Sequence, residues 1–303
     1  MLTPLIKASQ IPDYLLATDL EYKNLLRDPK LAQHHLAREK HRVDQVLASG
    51  GWGFVSDHGS TLVRPLPWDS AHFGVPCADL TRLYLVPAIP EGALFELLQA
   101  TVQEADKRKL TMLSARVLAY HHRALQVLAS HSFSLVDTSV ELGCTDLLQR
   151  EGSNATVREG KPSDCDGLCT VAMTFVNNRF YRDPHIPNDK ANGVYTSWVT
   201  KALAGKHGNL MVVETGGQVA GVCTYIPSEP DGLNVGIIGL IVIGPEFRNK
   251  GLSAPLVTAC ANQMNCVAVV TSTQEDNIAS LRAFGNLGLM PINTRCILHR
   301  WSH

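Results

Sequence analysis

The residues best suited to chemistry lie between Arg248 and Ser253. Arg248, Asn249, Lys250, Gly251, Leu252 and Ser253 form a loop that turns into a helix, with two cations beside the turn. Unsatisfied amides at a helix start, reinforced by the helix dipole, favour an anion. Gly251 can take a positive φ and lets an anion approach the backbone. Pro255 falls in the first helical turn, where its missing N–H costs nothing. The stretch before the loop, 235–244, is an almost unbroken apolar run, too short to span a bilayer and suited to a strand buried on both faces. Strand, loop and helix together predict a phosphate cradle.

A second buried strand is expected over 266–273, followed by turn and capping residues at 274–277. Ile278, Leu281, Ala283, Phe284 and Leu287 then recur at helical spacing up to Gly288, and 293–301 alternates as a terminal strand. Arg-x-x-Gly-x-Ser after such a strand resembles the acyl-CoA pyrophosphate loop of the GNAT superfamily of N-acyltransferases, with Ser253 where that family has Gly or Ala. The resemblance implies an α/β (α+β) fold that takes acetyl-CoA, or another acyl-CoA, as co-substrate. It implies that Ile241, Val242 and Ile243 line the pantetheine arm and that Arg248, Asn249, Lys250, Gly251, Leu252 and Ser253 hold the diphosphate. Asn277 matches the family's CoA-contacting asparagine, and a helix N-cap is an equally good account of it.

The elements that must position this loop belong to a chain of 303 residues, 45% hydrophobic, with a formal charge of −1. That length allows two modest domains, and the charge gives no case for nucleic acid or an anionic membrane. No signal peptide or apolar run of transmembrane length is visible, so the cytoplasm is the expected location. The eight cysteines include no Cys-x-x-Cys pair and sit mostly in apolar stretches, as small buried hydrophobes. The adjacent pairs His34–His35 and His121–His122 point apart on a helix or a strand, and no metal site is expected.

Residues 11–49 carry leucines and valines every three or four positions, interrupted at Pro29 and stopped by Gly50 and Gly51, which predicts short amphipathic helices. A hairpin follows from Gly53, then a helix over 91–107, a strand over 112–117, a helix over 121–130 and a strand over 133–142. This is the order of elements at the chain's end. The expected organisation is a tandem GNAT-like architecture: a helical extension at 1–60, a degenerate copy at 61–150, a linker at 147–154 and the CoA-binding domain at 155–303. The first copy has no Gly-rich loop and should not bind CoA by that route.

Trp68, Asp69, Ser70, Phe73 and Gly74, with the segments 178–184 and 195–198, resemble the dTDP-fucosamine acetyltransferase family, whose members acetylate the amine of a dTDP-linked 4-amino-4,6-dideoxy sugar. The likeness runs from about residue 62 to the end. Arg179, Asp183 and Trp198 are the substrate-binding candidates that it singles out. On residue types alone, 175–198 reads first as an amphipathic helix with solvated charges and an aromatic core face. The family's general-acid tyrosine falls at Phe284, and phenylalanine has no proton to give. The catalytic group is thus unknown. His185, Asn234 and Glu229 are the available base candidates.

Two classes of function follow. One is an acyl-CoA-dependent N-acyltransferase acting on a small molecule, a nucleotide-linked amino sugar or another amine such as a peptide terminus. The other is a CoA- or nucleotide-sugar-binding protein without turnover. A monomer is expected if the internal copy replaces a partner, and a homodimer if terminal strands exchange between subunits.

Overall fold

The computed structural model describes residues 2–148, 155–176, 178–206, 208–227, 229 and 231–302. Two compact units divide the chain. One runs to Thr138 and takes in residues from Thr294 onward; the other runs from Ser139 to Asn293.

The first unit contains β1 (Thr3–Pro4), α1 (Asp13–Leu16), α2 (Ala32–Ala48), β2 (Trp52–Val55), β3 (Gly59–Pro65), α3 (Pro67–Phe73), β4 (Cys77–Leu85), α4 (Glu91–Lys107), β5 (Met112–Leu118), α5 (His122–Ser130) and the start of β6 (Ser134–Cys144). Asp28 opens the approach to α2 by accepting from the Lys30 amide at 2.9 Å. The helix closes on Gly50, at φ +87°, with Gly50 N on Leu47 O and Gly51 N on Val46 O. That pair of bonds satisfies two carbonyls that the last turn leaves open.

The first sixty residues do not stand apart as an extension. Leu5, Ile11, Leu15 and Leu16 share one core with Val55, Leu62 and Tyr84, and the β2–β3 hairpin straddles residue 60. Burial of those leucines ties the segment to the sheet. The expected linker lies outside the described residues from 149 to 154.

The first unit's strands run in the order β1-β2-β3-β4-β5, antiparallel except for the parallel pair β4–β5. That parallel pairing extends only from Cys77 opposite Met112 to Leu80 opposite Ala115. Past it the chain's own segment 18–21 is tied to β4, to the turn after β5 and to the C-terminal strand. Leu85 N donates to Thr18 Oγ1 at 3.3 Å and Tyr120 Oη to Thr18 O at 3.5 Å. Arg295 clasps Asp19 at 2.7 and 3.2 Å, and Arg82 reaches Glu21 at 3.0 Å. Between β4 and α4 the chain reads Val-Pro-Ala-Ile-Pro over 86–90, with no glycine.

The second unit contains the end of β6, β7 (Thr156–Glu159), α6 (Cys165–Ala172), α7 (Arg179–Arg182), α8 (Asn188–Leu203), β8 (Asn209–Thr215), β9 (Gln218–Ile226), β10 (Val235–Ile243), α9 (Ser253–Met264), β11 (Ala268–Gln274), α10 (Ile278–Gly285) and the start of β12 (Met290–Trp301). Its strands run β6-β11-β10-β9-β8-β7, again with one parallel pair, β10–β11. Leu256, Val257 and Cys260 of α9 pack with Phe284, Leu287 and Ile238 in its core.

The first unit takes a strand from the chain's C-terminal segment, whereas the second is a single continuous stretch. Residues 295–301 of β12 pair with β5, and residues 139–144 of β6 pair with β11. The boundaries 61–150 and 155–303 therefore do not coincide with the compact units, because strand pairing carries the last segment into the first unit. Among the described residues no helix is long and apolar enough to cross a membrane.

Candidate functional site

The site is built on the point where β10 leaves β11. Their pairing covers only Val235–Ile237 against Ala268–Val270, although β10 continues to Ile243 and β11 to Gln274. On its other edge β10 stays with β9, and the register shifts: Ile238 faces Tyr225, then Ile241 faces Cys223. One extra residue of β10 is accommodated at Gly239–Leu240. Such a bulge bends its strand and raises its twist. Leu240 N donates to Thr224 Oγ1 at 2.8 Å.

Gly244 N donates to Ala220 O at 2.9 Å. Alternation along a strand then turns the backbone groups of Val242 toward β9 and those of Ile241 and Ile243 away from it, toward the parted side. Ile241 and Ile243 thus offer a row of amide and carbonyl groups to an extended ligand, while Val242 holds the sheet. The carbonyl of Ile243 accepts from Arg248 Nε at 3.1 Å.

The loop after β10 changes hand. Arg248 is extended, Asn249 at φ +61° and Gly251 at φ +70° are left-handed, and Leu252, the N-cap of α9, is right-handed at φ −72°. Left-handed residues alternating with right-handed ones turn successive N–H groups to one side and make an anion-binding concavity. A Cβ at Gly251 would meet nothing within 4 Å, so the concavity is open to solvent. Leu252 is buried in the core and contributes backbone only. Arg248, Asn249 and Lys250 are exposed, with Lys250 Nζ 5.3 Å from the centre of the Phe247 ring. Ser253 begins the helix. These residues fit a diphosphate, by converging amides, a side-chain-free approach and two cations.

Asn277 is the N-cap of α10, its side chain accepting from Ser280 N at 3.3 Å. Phe284 is 2% exposed and lies in the core. It does not line an open cleft.

The segment 175–198 is not one helix. The chain breaks between α7 and α8, where Asp183-Pro184 and Pro187 interrupt it. Asp183 is 2% exposed, and its Oδ1 accepts from His185 N at 2.9 Å and lies 3.1 Å from His185 Nδ1. This buried carboxylate shapes the turn and orients a half-exposed imidazole. Arg179 lies over the Phe180 ring, 4.6 Å from its centre. Tyr181 donates to the side-chain oxygen of Asn192. Burial raises the Tyr181 phenol above its usual range. Asn234 precedes β10 at the end opposite the cradle, and Glu229 lies in the connection before it. Of the substrate candidates, Trp198 is the one brought against β10: a Cβ on Gly239 would stand 3.3 Å from its Cζ2. Tyr195 stacks on Trp198 at 6.3 Å and meets Phe175 edge-on at 5.0 Å, which extends the aromatic surface. The cavity of about 260 Å³ lined by Glu159, Leu203, Asn209 and Tyr225 includes none of the cradle residues 248–253 and none of the substrate candidates.

Thr224 and Gly239 were missed by sequence reasoning. A glycine inside an apolar strand is a known mark of a bulge or a close approach, and Gly239 carried that signal. Thr224, one polar residue in an ordinary strand, carried none.

Residues 175–289 match the Acetyltransferase (GNAT) family. The chain is similar to the spore coat polysaccharide biosynthesis protein SpsD of Bacillus subtilis (strain 168), with 23% identity over 145 residues, 46% of this chain and 49% of that protein. The match therefore spans about half the length of that relative. The fold is similar to a GCN5-related N-acetyltransferase from Sphaerobacter thermophilus, with a TM-score of 0.63 and 14% identity over 99% of this chain and 95% of that one. It is also similar to a tandem GNAT protein from the clavulanic acid biosynthesis pathway, with a TM-score of 0.58 and 14% identity over 99% and 98% of the two chains. Residues 175–289, the segment that matches the GNAT family, contain the parted parallel strands and the loop after β10, and the fold of the whole chain is similar to that of a tandem GNAT protein.

Proposed function

We propose that the protein transfers an acetyl group from acetyl-CoA to the amine of a nucleotide-linked amino sugar. The observation that carries the acyl-CoA half is the cradle of alternating-hand residues at 249–252, set directly after the free edge of β10. The sugar half rests on the likeness to SpsD, a polysaccharide biosynthesis protein, and on the aromatic surface of Phe175, Tyr195 and Trp198 at the bulge. An aromatic face suits the apolar side of a sugar or a base.

Acetyl-CoA supplies an acyl group already activated as a thioester. The chain's part is to bind and orient it. Backbone amides at 249–253 hold the diphosphate, and the free groups of Ile241 and Ile243 align the pantetheine arm, which converts an encounter into a positioned reaction. Phe284 offers no acid, and a thiol with a pKa of about 8.5 leaves without one more readily than an alkoxide would. His185, its ring oriented by buried Asp183, is the titratable group of the acceptor segment and receives the amine's proton in this reading.

Isothermal titration with acetyl-CoA and separately with a dTDP-linked amino sugar, then a free-thiol assay with both, tests the proposal. Both should bind, and thiol should be released only when both are present. Binding of both without release would instead favour a non-catalytic binding protein.

A further inference from the structure

We propose that Thr224 is a positioning residue for acyl transfer, because its hydroxyl fixes the bulge that decides which backbone groups of β10 face the parted side. This rests on the acyl-CoA reading of the same site. After the bulge, the pairs Val242–Val222 and Ile241–Cys223 would, if continued, set Leu240 opposite Thr224 and its N–H on the Thr224 carbonyl. The N–H goes instead to Thr224 Oγ1, at 2.8 Å. Thr224 is 2% exposed and Leu240 is buried, so the hydroxyl stands in for a main-chain acceptor where an unmet amide would be costly.

The consequence reaches the reacting end of the cleft. In a trans peptide the carbonyl of one residue points opposite to the N–H of the next. With Leu240 N–H held by Thr224, the Gly239 carbonyl is turned away from β9, toward the side where β11 has parted. The Ile241 amide and carbonyl and the Ile243 amide follow on that side. A ligand lying along β10 therefore meets acceptor, donor, acceptor, donor in a fixed order, and a register shift of one residue would present the opposite groups.

Two neighbours lock this arrangement. A Cβ at Gly239 would stand 2.5 Å from Thr224 Oγ1 and 3.3 Å from Trp198 Cζ2. Glycine is thus required where hydroxyl and indole converge. The same three residues link the bulge to the aromatic surface assigned to the acceptor.

The experiment compares wild type, Thr224→Val and Thr224→Ser by titration with acetyl-CoA and with 3′-phospho-ADP, the fragment of CoA that lacks pantetheine. Thr224→Val should weaken acetyl-CoA at least tenfold and leave 3′-phospho-ADP, which the loop alone holds, unchanged. Thr224→Ser should restore acetyl-CoA to within about threefold of wild type. Equal acetyl-CoA affinity in Thr224→Val and wild type would overturn the role of Thr224 alone. Failure of wild type to bind acetyl-CoA would overturn the acyltransferase reading and this role with it. If Thr224→Val does not fold, Gly239→Ala strikes the same oxygen and should show the same selective loss; unchanged binding there would count equally against the proposal.

Discussion

Arg182 Nη2 stands 2.8 and 2.7 Å from the two carboxylate oxygens of Asp276, the residue before the Asn277 cap of α10. The segment proposed to take the acceptor is thereby fastened to the start of α10. The pair is partly exposed, so its worth in stability is small, about 0.2–1 kcal/mol. Arg182→Ala should therefore scarcely move the melting temperature but should raise KM for acetyl-CoA several-fold, by freeing the Asp276–Asn277 turn. Calorimetry together with steady-state kinetics checks both halves; an unchanged KM would reduce the pair to a surface contact.

Gly251→Val should weaken CoA by more than tenfold. A Cβ at this position touches no protein atom, so a direct clash within the free protein cannot explain the loss. The side chain would instead fill the concavity, and φ +70° adds about 1–2 kcal/mol of backbone strain for a non-glycine residue. Titration with CoA beside a thermal melt separates the two contributions. Wild-type affinity in a folded Gly251→Val protein would remove the cradle from 249–252.

Phe284→Tyr should not raise turnover. The ring is closed to solvent in the free protein and packs among Leu256, Leu287 and their neighbours. A hydroxyl placed there without a partner should cost about 1–3 kcal/mol. Stopped assays of thiol release and a urea melt test the two expectations; a faster enzyme would show that the tyrosine position does reach the thioester.

His121 should make the first unit sensitive to mild acid. Its Nε2 is buried without a hydrogen-bond partner. Burial lowers its pKa, and Arg295 pushes the same way against the opposing pull of Asp19. A group whose folded pKa lies below its unfolded value of about 6.5 contributes stability that is full above that value. The contribution is lost as pH falls through the folded pKa, because the unfolded chain takes up the proton first. Melting temperature should therefore fall between about pH 7 and pH 5, and His121→Asn should flatten part of that slope. Parallel slopes for the two proteins would assign the effect to other histidines.

The turn at 249–252 was legible because its determinants are local. An apolar strand, a glycine that must turn left-handed and cations at a helix start all lie within twenty residues. Asn277 was legible for the same reason, as a capping residue beside a periodic run. The bulge was not, because it is a relation between two strands, and only the pairing of Ile238 with Tyr225 and of Ile241 with Cys223 exposes the extra residue. Asp183 was misleading: a carboxylate that follows two arginines looks like a ligand contact, yet its Oδ1 accepts within the His185 turn. Nor did residues 18–21 announce that they would bind both β4 and the C-terminal strand, since their partners Arg82 and Arg295 are distant in sequence.

The last strand has a consequence for the order in which the chain can be built. Until residues 295–301 leave the ribosome, β5 has no partner along the edge that they will cover, although every other strand of the first unit has been synthesised. The buried carboxylate of Asp19 likewise waits for Arg295, 276 residues later. The first half to be translated is thus among the last parts to be finished. A chain cut before residue 295 would leave that edge of β5 exposed, the feature that invites pairing with other chains.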